Sequence, residues 1–359
     1  MDNPEIRATV SDVWRLAYQP AGCSKCGRAF LVPPEWVGRL CPYCLAGVLE
    51  AQPARLRHEP PERVLPFPRS AVDWAPIFQK FTREVWLAPD DFTPPALQQR
   101  LIPLYWPVWL VDGTLSGAWQ AEVGYDYQVK SSRENYAASG WHSQEVIETR
   151  IRWEPRLGQM LRRYDNRPAP ALSDQNQLTG MIGLSPLEQA VAYDPAYLQG
   201  AALRIPDLPP AEAWTQAQPA FEQAAQVECQ QAAGGQHARG FKVQANYTEL
   251  NWTQLLVPLY ITYYTDDSGH PIPIYINGIT HQMSGKRLAS PRKGLRLAGI
   301  ILAVALILCL LAVIFYFLGQ NVFPQVRGMS SLFWLLGIIT GVLAVIPAAW
   351  PLMWNQSQL

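Results

Sequence analysis

The chain has 359 residues, with 29 Lys and Arg against 29 Asp and Glu, and six cysteines. That length exceeds what one folding unit requires, so separate modules are expected instead of one continuous core. A formal net charge of zero removes the simplest argument for a nucleic-acid binder, which needs surplus Lys and Arg to meet phosphate.

The first residues, Met1-Asp2-Asn3-Pro4-Glu5, lack the basic and then apolar regions of a signal peptide, so the N-terminal part is expected in the cytosol. Four of the cysteines fall into two pairs, Cys23-Ser24-Lys25-Cys26 and Cys41-Pro42-Tyr43-Cys44, with fourteen residues between them. The spacing is close to that of structural zinc sites. Each pair lets a tight turn offer two thiolates from one side, and two such turns complete a tetrahedral S4 shell. Gly27 and Pro42 stand where those turns need them. Residues 1–50 are therefore expected to form a small zinc ribbon holding one structural Zn(II) through Cys23, Cys26, Cys41 and Cys44. Rubredoxin-like iron and disulfides are the competing readings, and a reducing cytosol argues against disulfides. A catalytic zinc would need an open position that four thiolates do not leave. From Trp14 to Arg57 the bases Arg15, Lys25, Arg28, Arg39, Arg55 and Arg57 outnumber Glu35 and Glu50. That surplus permits contact with phosphate or with an acidic protein surface. Trp36 and Tyr43 are expected to pack.

Residues 51–70, rich in Pro and Arg, read as an extended linker, and residues 71–285 as an α+β cytoplasmic domain with antiparallel sheets. Within it Val146 to Trp153 alternates strictly, which predicts a half-buried strand with Ile147, Thr149, Ile151 and Trp153 on one face. Phe241 to Tyr247 alternates the same way. The Ala- and Gln-rich stretch from Ala211 to Ala233 predicts a helix broken at Pro219. Leu101-Ile102-Pro103-Leu104-Tyr105-Trp106 is echoed by Leu256-Val257-Pro258-Leu259-Tyr260-Ile261. Each copy precedes a hairpin-compatible turn, Asp112-Gly113 and Asp266-Asp267-Ser268-Gly269, which suggests two related β units. Arg150, Arg152, Arg156, Arg162, Arg163 and Arg167, diluted by Glu154 and Asp165, read as a solvated face.

Residues 286–296 form a basic collar of Lys286, Arg287, Arg292, Lys293 and Arg296. Leu297 to Leu318 follows without a charge, and as a helix would be about 33 Å long, enough for a hydrocarbon core of about 30 Å. A second run, Ser331 to Trp354, carries Trp334, Trp350 and Trp354 toward its ends and Pro347 and Pro351 in its last turns. The two are expected to form a transmembrane hairpin. Arg327 is the sole charge between them, so the basic residues place residues 1–296 and the C-terminus in the cytoplasm of a two-helix, multi-pass protein of the cell membrane. The collar could also hold anionic headgroups of the bilayer. Cys229 and Cys309 read as buried hydrophobes. No HExxH, Gly-rich phosphate loop or GxSxG is present, and His58, His142, His237, His270 and His281 lack ligand spacing, so the chain is expected not to be an enzyme.

The order of parts resembles bacterial membrane proteins with an N-terminal zinc ribbon of the transcription factor TFIIB type, often named PriA-like. The resemblance rests on the cysteine pairs, on Pro103-Leu104-Tyr105-Trp106-Pro107-Val108-Trp109-Leu110-Val111-Asp112, and on Tyr275-Ile276-Asn277-Gly278-Ile279-Thr280. His281 stands where that group has a second glycine. The ribbon proteins of this group are encoded near PspA-like or SPFH proteins, so the resemblance implies a scaffold that recruits such partners to the membrane in envelope stress. A membrane-tethered nucleic-acid binder is the alternative.

Overall fold

The computed structural model describes residues 9–53, 56–137, 140–183, 185–321 and 327–358. The spine of the molecule is an antiparallel ladder between β5 (Ile102–Ala137) and β9 (His237–Thr265). At its inner end β5 is buried on both faces, with Leu104, Trp106, Val108 and Leu110 turned to one apolar cluster and Tyr105 to another. Burial on both faces is why Leu101 to Val111 reads as a nearly unbroken apolar run and not as an alternation.

One edge of β5 carries β8 (Ala202–Arg204), parallel, and then β6 (Gly140–Pro170), antiparallel. The outer edge of β9 carries β4 (Arg63–Val64), parallel, and β10 (Pro271–Asn277), antiparallel, which pairs in turn with β11 (Met283–Gly285). β4 also pairs with β7 (Val191–Ala192). The sheet is thus mixed, where antiparallel sheets were expected. The cysteine ribbon, made of β1 (Gln19–Cys23), β2 (Ala29–Val32) and β3 (Leu49–Ala51), joins the same sheet, because β2 pairs with β8 through Phe30–Arg204 and Leu31–Leu203. The segment read as an extended linker contributes β4 and the buried Leu65; residues 54 and 55 lie outside the described residues.

Asp112-Gly113 is not a hairpin turn. β5 runs straight through it with a bulge in its pairing to both neighbours. The glycine serves packing instead: a Cβ there would stand 2.8 Å from Leu250 Cδ2 and 3.2 Å from Phe221 Cε1. The echoed segments pair with each other, Pro103 opposite Tyr260 and Tyr105 opposite Pro258. Only Asp266–Gly269 turns the chain, between β9 and β10, where Gly269 N–H donates to the Asp266 carbonyl at 3.0 Å and has φ +83°.

Past the bulge, β5, β6 and β9 leave the core as a long arm. At about 3.3 Å per residue, the 36 residues of β5 span roughly 120 Å. Four helices pack on this frame: α1 (Trp74–Thr82), α2 (Pro94–Gln99), α3 (Gln175–Ile182) and α4 (Pro210–Ala233). α4 lies on the inner half of the arm, where Ala213, Ala217, Phe221 and Ala225 meet Leu115 and Tyr164. It is continuous through Pro219, against the expected break. Pro219 stands on the exposed side of the helix, so the carbonyl it deprives of a partner is not trapped in the core, and packing of the opposite face holds the helix together. Val146 to Trp153 is a strand within β6, but it is not half-buried: Ile147 is 62% exposed and Ile151 39%.

The C-terminal fifth is a helical hairpin of α5 (Pro291–Asn321), α6 (Arg327–Leu343) and α7 (Val345–Gln356). Pro291–Leu318 and Gly328–Gln356 are each long and apolar enough to cross a membrane, and large side chains such as Leu306, Ile307, Leu310, Leu335 and Ile338 face outward. The second run is one long span with an interruption, where α6 gives way to α7. It breaks at Ala344, because Pro347 offers no N–H to the carbonyl of Leu343 and its ring crowds that turn. Small residues line the seam: Ala298, Ala305 and Ala312 of α5 are buried, and a Cβ at Gly337 of α6 would stand 2.6 Å from Cys309 Sγ.

The base of this hairpin is tied to the sheet. Ser290 caps α5 by accepting from Lys293 N–H at 3.1 Å, with Pro291 at the first helical position. Asp267, from the β9–β10 turn, accepts from Ser290 Oγ at 2.7 Å and from Arg292 N–H at 2.8 Å, so a carboxylate sits at the positive end of the helix. Beyond α7's last proline, Asn355 exchanges two hydrogen bonds with the backbone of Ala289, at 2.8 and 3.0 Å. The indole of Trp354 donates to the Arg287 carbonyl.

Candidate metal centre

Two turns of the ribbon carry the four cysteines. In the first, Gly27 N–H donates to the Cys23 carbonyl at 3.0 Å, and Gly27 closes the turn with φ +69°. In the second, Leu45 N–H donates to the Cys41 carbonyl at 3.1 Å, and the left-handed position falls on Leu45 with φ +54°. A leucine is strained there by about 1–2 kcal/mol; its full burial offsets that cost.

The turns face each other. Cys23 Sγ and Cys44 Sγ are 3.5 Å apart, Cys26 Sγ and Cys41 Sγ are 3.9 Å apart, and all four sulfurs lie within 4.8 Å of one another. None is in a disulfide. Four sulfurs on a tetrahedron with bonds of about 2.3 Å would be about 3.8 Å apart, so the donor set fits one metal ion. The amides of Lys25 and Cys26 each point at Cys23 Sγ from 3.4 Å. Burial works against ionising Cys23, but these amides, with help from the Cys26 and Cys44 thiols, bring it down to about 7. Burial pushes Cys26 and Cys41 up. Bound metal would hold all four as thiolates. Gly47 lets the chain pass over the site: a Cβ there would stand 2.7 Å from Cys23 Sγ and 2.8 Å from the Lys25 nitrogen.

Directly beneath the second turn is an ionic cluster that spacing did not reveal. Tyr43, between Cys41 and Cys44, donates to Asp174 Oδ2 at 2.7 Å, and Arg28 Nη2 donates to the same oxygen at 2.7 Å. Arg204, 1% exposed, approaches Asp174 Oδ1 at 2.8 Å as an ion pair and donates to Asp207 at 3.0 Å. Both guanidinium groups lie over the Tyr43 ring, at 4.3 and 4.9 Å, and Tyr275 packs beside it at 5.6 Å. Burial opposes the Asp174 charge, but Tyr43, Arg204 and Arg28 outweigh it and hold the carboxyl below its usual value. Asp174 precedes α3 without capping it. Its carboxylate is committed to the ribbon.

Tyr43 packs as expected, and Trp36 is half-buried with Arg39 at 5.9 Å. Arg57 pairs with Glu59 and Glu62, and Arg55 lies outside the described residues. The arginine run on β6 is exposed from Arg150 to Arg163 and ion-paired, Arg162 with Glu228 and Arg163 with Glu249 among them, while Arg167 is half-buried over the Tyr164 ring. The histidines are dispersed: His237 pairs with Asp126 and His270 with Asp266, while His281 packs against Trp74. Among the described residues, the four cysteines are the one group of His, Cys, Asp or Glu drawn together at metal-ligand distances. In the collar, Lys293 pairs with Asp90 and Arg287 with Glu84.

No protein-family model, curated protein or solved structure matches the chain. Fold and site define its class by themselves: a four-cysteine centre able to bind one metal ion, built into a mixed sheet that continues into two helices of membrane-crossing length.

Proposed function

We propose that the chain is a membrane-anchored zinc-ribbon scaffold that holds cytoplasmic protein partners at the bilayer. One observation carries the reading: a closed S4 site with no room for a reacting ligand sits in the same sheet that Asp267, Ser290 and Asn355 tie to the apolar hairpin. Zinc suits four thiolates at these separations and adds rigidity without redox chemistry. The two long helices span the membrane, the collar keeps residues 1–296 and the C-terminus on the cytoplasmic side, and Lys286, Arg292 and Arg296, without ion-pair partners among the described residues, face anionic headgroups. The partners are PspA-like or SPFH-like proteins of an envelope-stress response, as the resemblance implies. The chain acts without catalysing a reaction.

Nucleic-acid binding draws less support, because Arg28 and Arg57 spend their charge on Asp174, Glu59 and Glu62.

The test is a mild-detergent pull-down of the full chain. Deleting residues 1–50 would strip β2 from β8, so the informative variant alters only the outer surface of the ribbon, where Leu40 and Val48 bridge to each other and are 51% and 40% exposed. Leu40→Asp with Val48→Asp should lose the specific partners while metal content is unchanged. An identical partner set would take the recruiting role away from the ribbon. Salt-sensitive capture of DNA or RNA in place of protein would favour the alternative.

A further inference from the structure

We infer that the outer half of the β-arm is a self-association device, in which β6 pairs antiparallel with β6 of a second copy of this chain about a two-fold axis at Thr149. This goes beyond the scaffold reading and does not depend on it.

The arm is unfinished where it leaves the core. β9 accompanies β5 only as far as the Gly124–His237 pair, so Tyr125–Ala137 and Gly140–Arg152 form a ladder of two strands. A two-stranded ribbon in water is marginally stable at best. The β5–β6 ladder runs without a bulge from Gly113–Tyr164 to Ala137–Gly140, and Trp141 to Glu154 contains no proline. A long straight edge without those interruptions is a template for another strand. Among the described residues β6 pairs with β5 alone, and residues 147–152 are all exposed.

What selects a second copy is the order of the side chains. An antiparallel pair related by a two-fold axis normal to the sheet sets residue i opposite residue 298 − i when Thr149 lies on the axis. Ile147 then faces Ile151 of the other copy, and Glu148 faces Arg150, each contact occurring twice. Moving the axis by one residue puts Glu148 against Glu148 or Arg150 against Arg150, and like charges directly opposite destabilise a sheet. The stretch is therefore self-complementary in this register and penalised in the two adjacent ones. The interface is isologous and closed, and joins the two arms into one sheet in the order β5–β6–β6–β5.

Directly opposite residues have Cα atoms about 4.5–5.5 Å apart, within disulfide range. Thr149→Cys in the full detergent-solubilised chain should cross-link to itself on mild oxidation, well above the parent chain with its six native cysteines. Ile147→Cys should stay at the parent level, because the register holds its two copies four residues apart. Adding Glu148→Arg to Thr149→Cys should abolish the cross-link, and adding Glu148→Arg together with Arg150→Glu should restore it. These positions are exposed, so the fold is not at risk. Equal cross-linking at 147 and 149, no excess at 149, or indifference to the charge reversal would each overturn the pairing.

Discussion

Asp174 connects three parts of the chain that are far apart in sequence, and Asp174→Asn should show it. The substitution leaves Arg28 without its counter-charge and Arg204, nearly fully buried, with Asp207 as its one remaining carboxylate, which costs up to about 3–5 kcal/mol, the loss when a buried pair is deprived of one partner. A lower urea midpoint of the detergent-solubilised chain is expected. The pH dependence has a definite sign. Because the folded carboxyl is held below its usual value, its contribution is complete above the unfolded carboxylate range near pH 4 and is lost as pH falls through the folded value. The midpoint of the wild-type chain should therefore drop more steeply below pH 4 than that of Asp174→Asn. Gly47→Ala makes a second residue-scale prediction: its methyl group would press on Cys23 Sγ and on the Lys25 backbone. It should weaken metal retention against a chelator by at least tenfold without removing a ligand, and unchanged retention would mean that the turn yields freely. The four-cysteine group itself was legible because each pair is local, a turn's length apart. Asp174 was not legible, because its partners Arg28 and Tyr43 lie 146 and 131 residues away and no periodicity links them.

At the scale of elements, patterns fixed by local geometry held, and patterns that depend on a partner did not. Alternation marked Val146 to Trp153 as a strand, since the two-residue period is intrinsic to the backbone, but burial of one face depends on a neighbour that the outer arm lacks among the described residues. Asp112-Gly113 has the composition of a turn, yet its glycine answers to Phe221 and Leu250 across the arm. Pro219 reads as a breaker only when the packed face opposite it is ignored. In the helical hairpin, Gly337 belongs to the seam. Gly337→Ile should push α6 away from α5 and raise maleimide labelling of the half-buried Cys309, whereas Gly341→Ile, where a Cβ meets only Ala305 Cβ at 3.9 Å, should change labelling far less. Equal labelling of the two variants would place the seam elsewhere.

For the whole molecule, the junction of β2 with β8 makes the ribbon part of the sheet and not an appendage. Metal analysis of the purified chain is expected to return one zinc, falling to none in Cys23→Ser or Cys41→Ser. Stripping the metal should raise hydrogen exchange in β1–β3 and also in β8 and the inner end of β5, because Leu31, Leu203 and Tyr105 share one apolar cluster. Exchange confined to residues 19–51 would show that the ribbon melts alone. The broad division into ribbon, middle region and apolar hairpin could be read from composition. The pairing that merges the first two could not, because β8 is three residues long and carries no signal of its own.

The tie between Asn355 and Ala289 also sets an order of assembly. Trp354 and Asn355 stand in the last turn of the second long helix, so the hydrogen bonds to Arg287 and Ala289 form only once nearly all of that helix has been synthesised. Until then the base of the hairpin is open on that side, and α5 is held by Asp267 and Ser290 and by Lys293, which pairs with Asp90. The nascent chain thus gains this join only as the last turn of α7 folds back onto residues made more than sixty positions earlier.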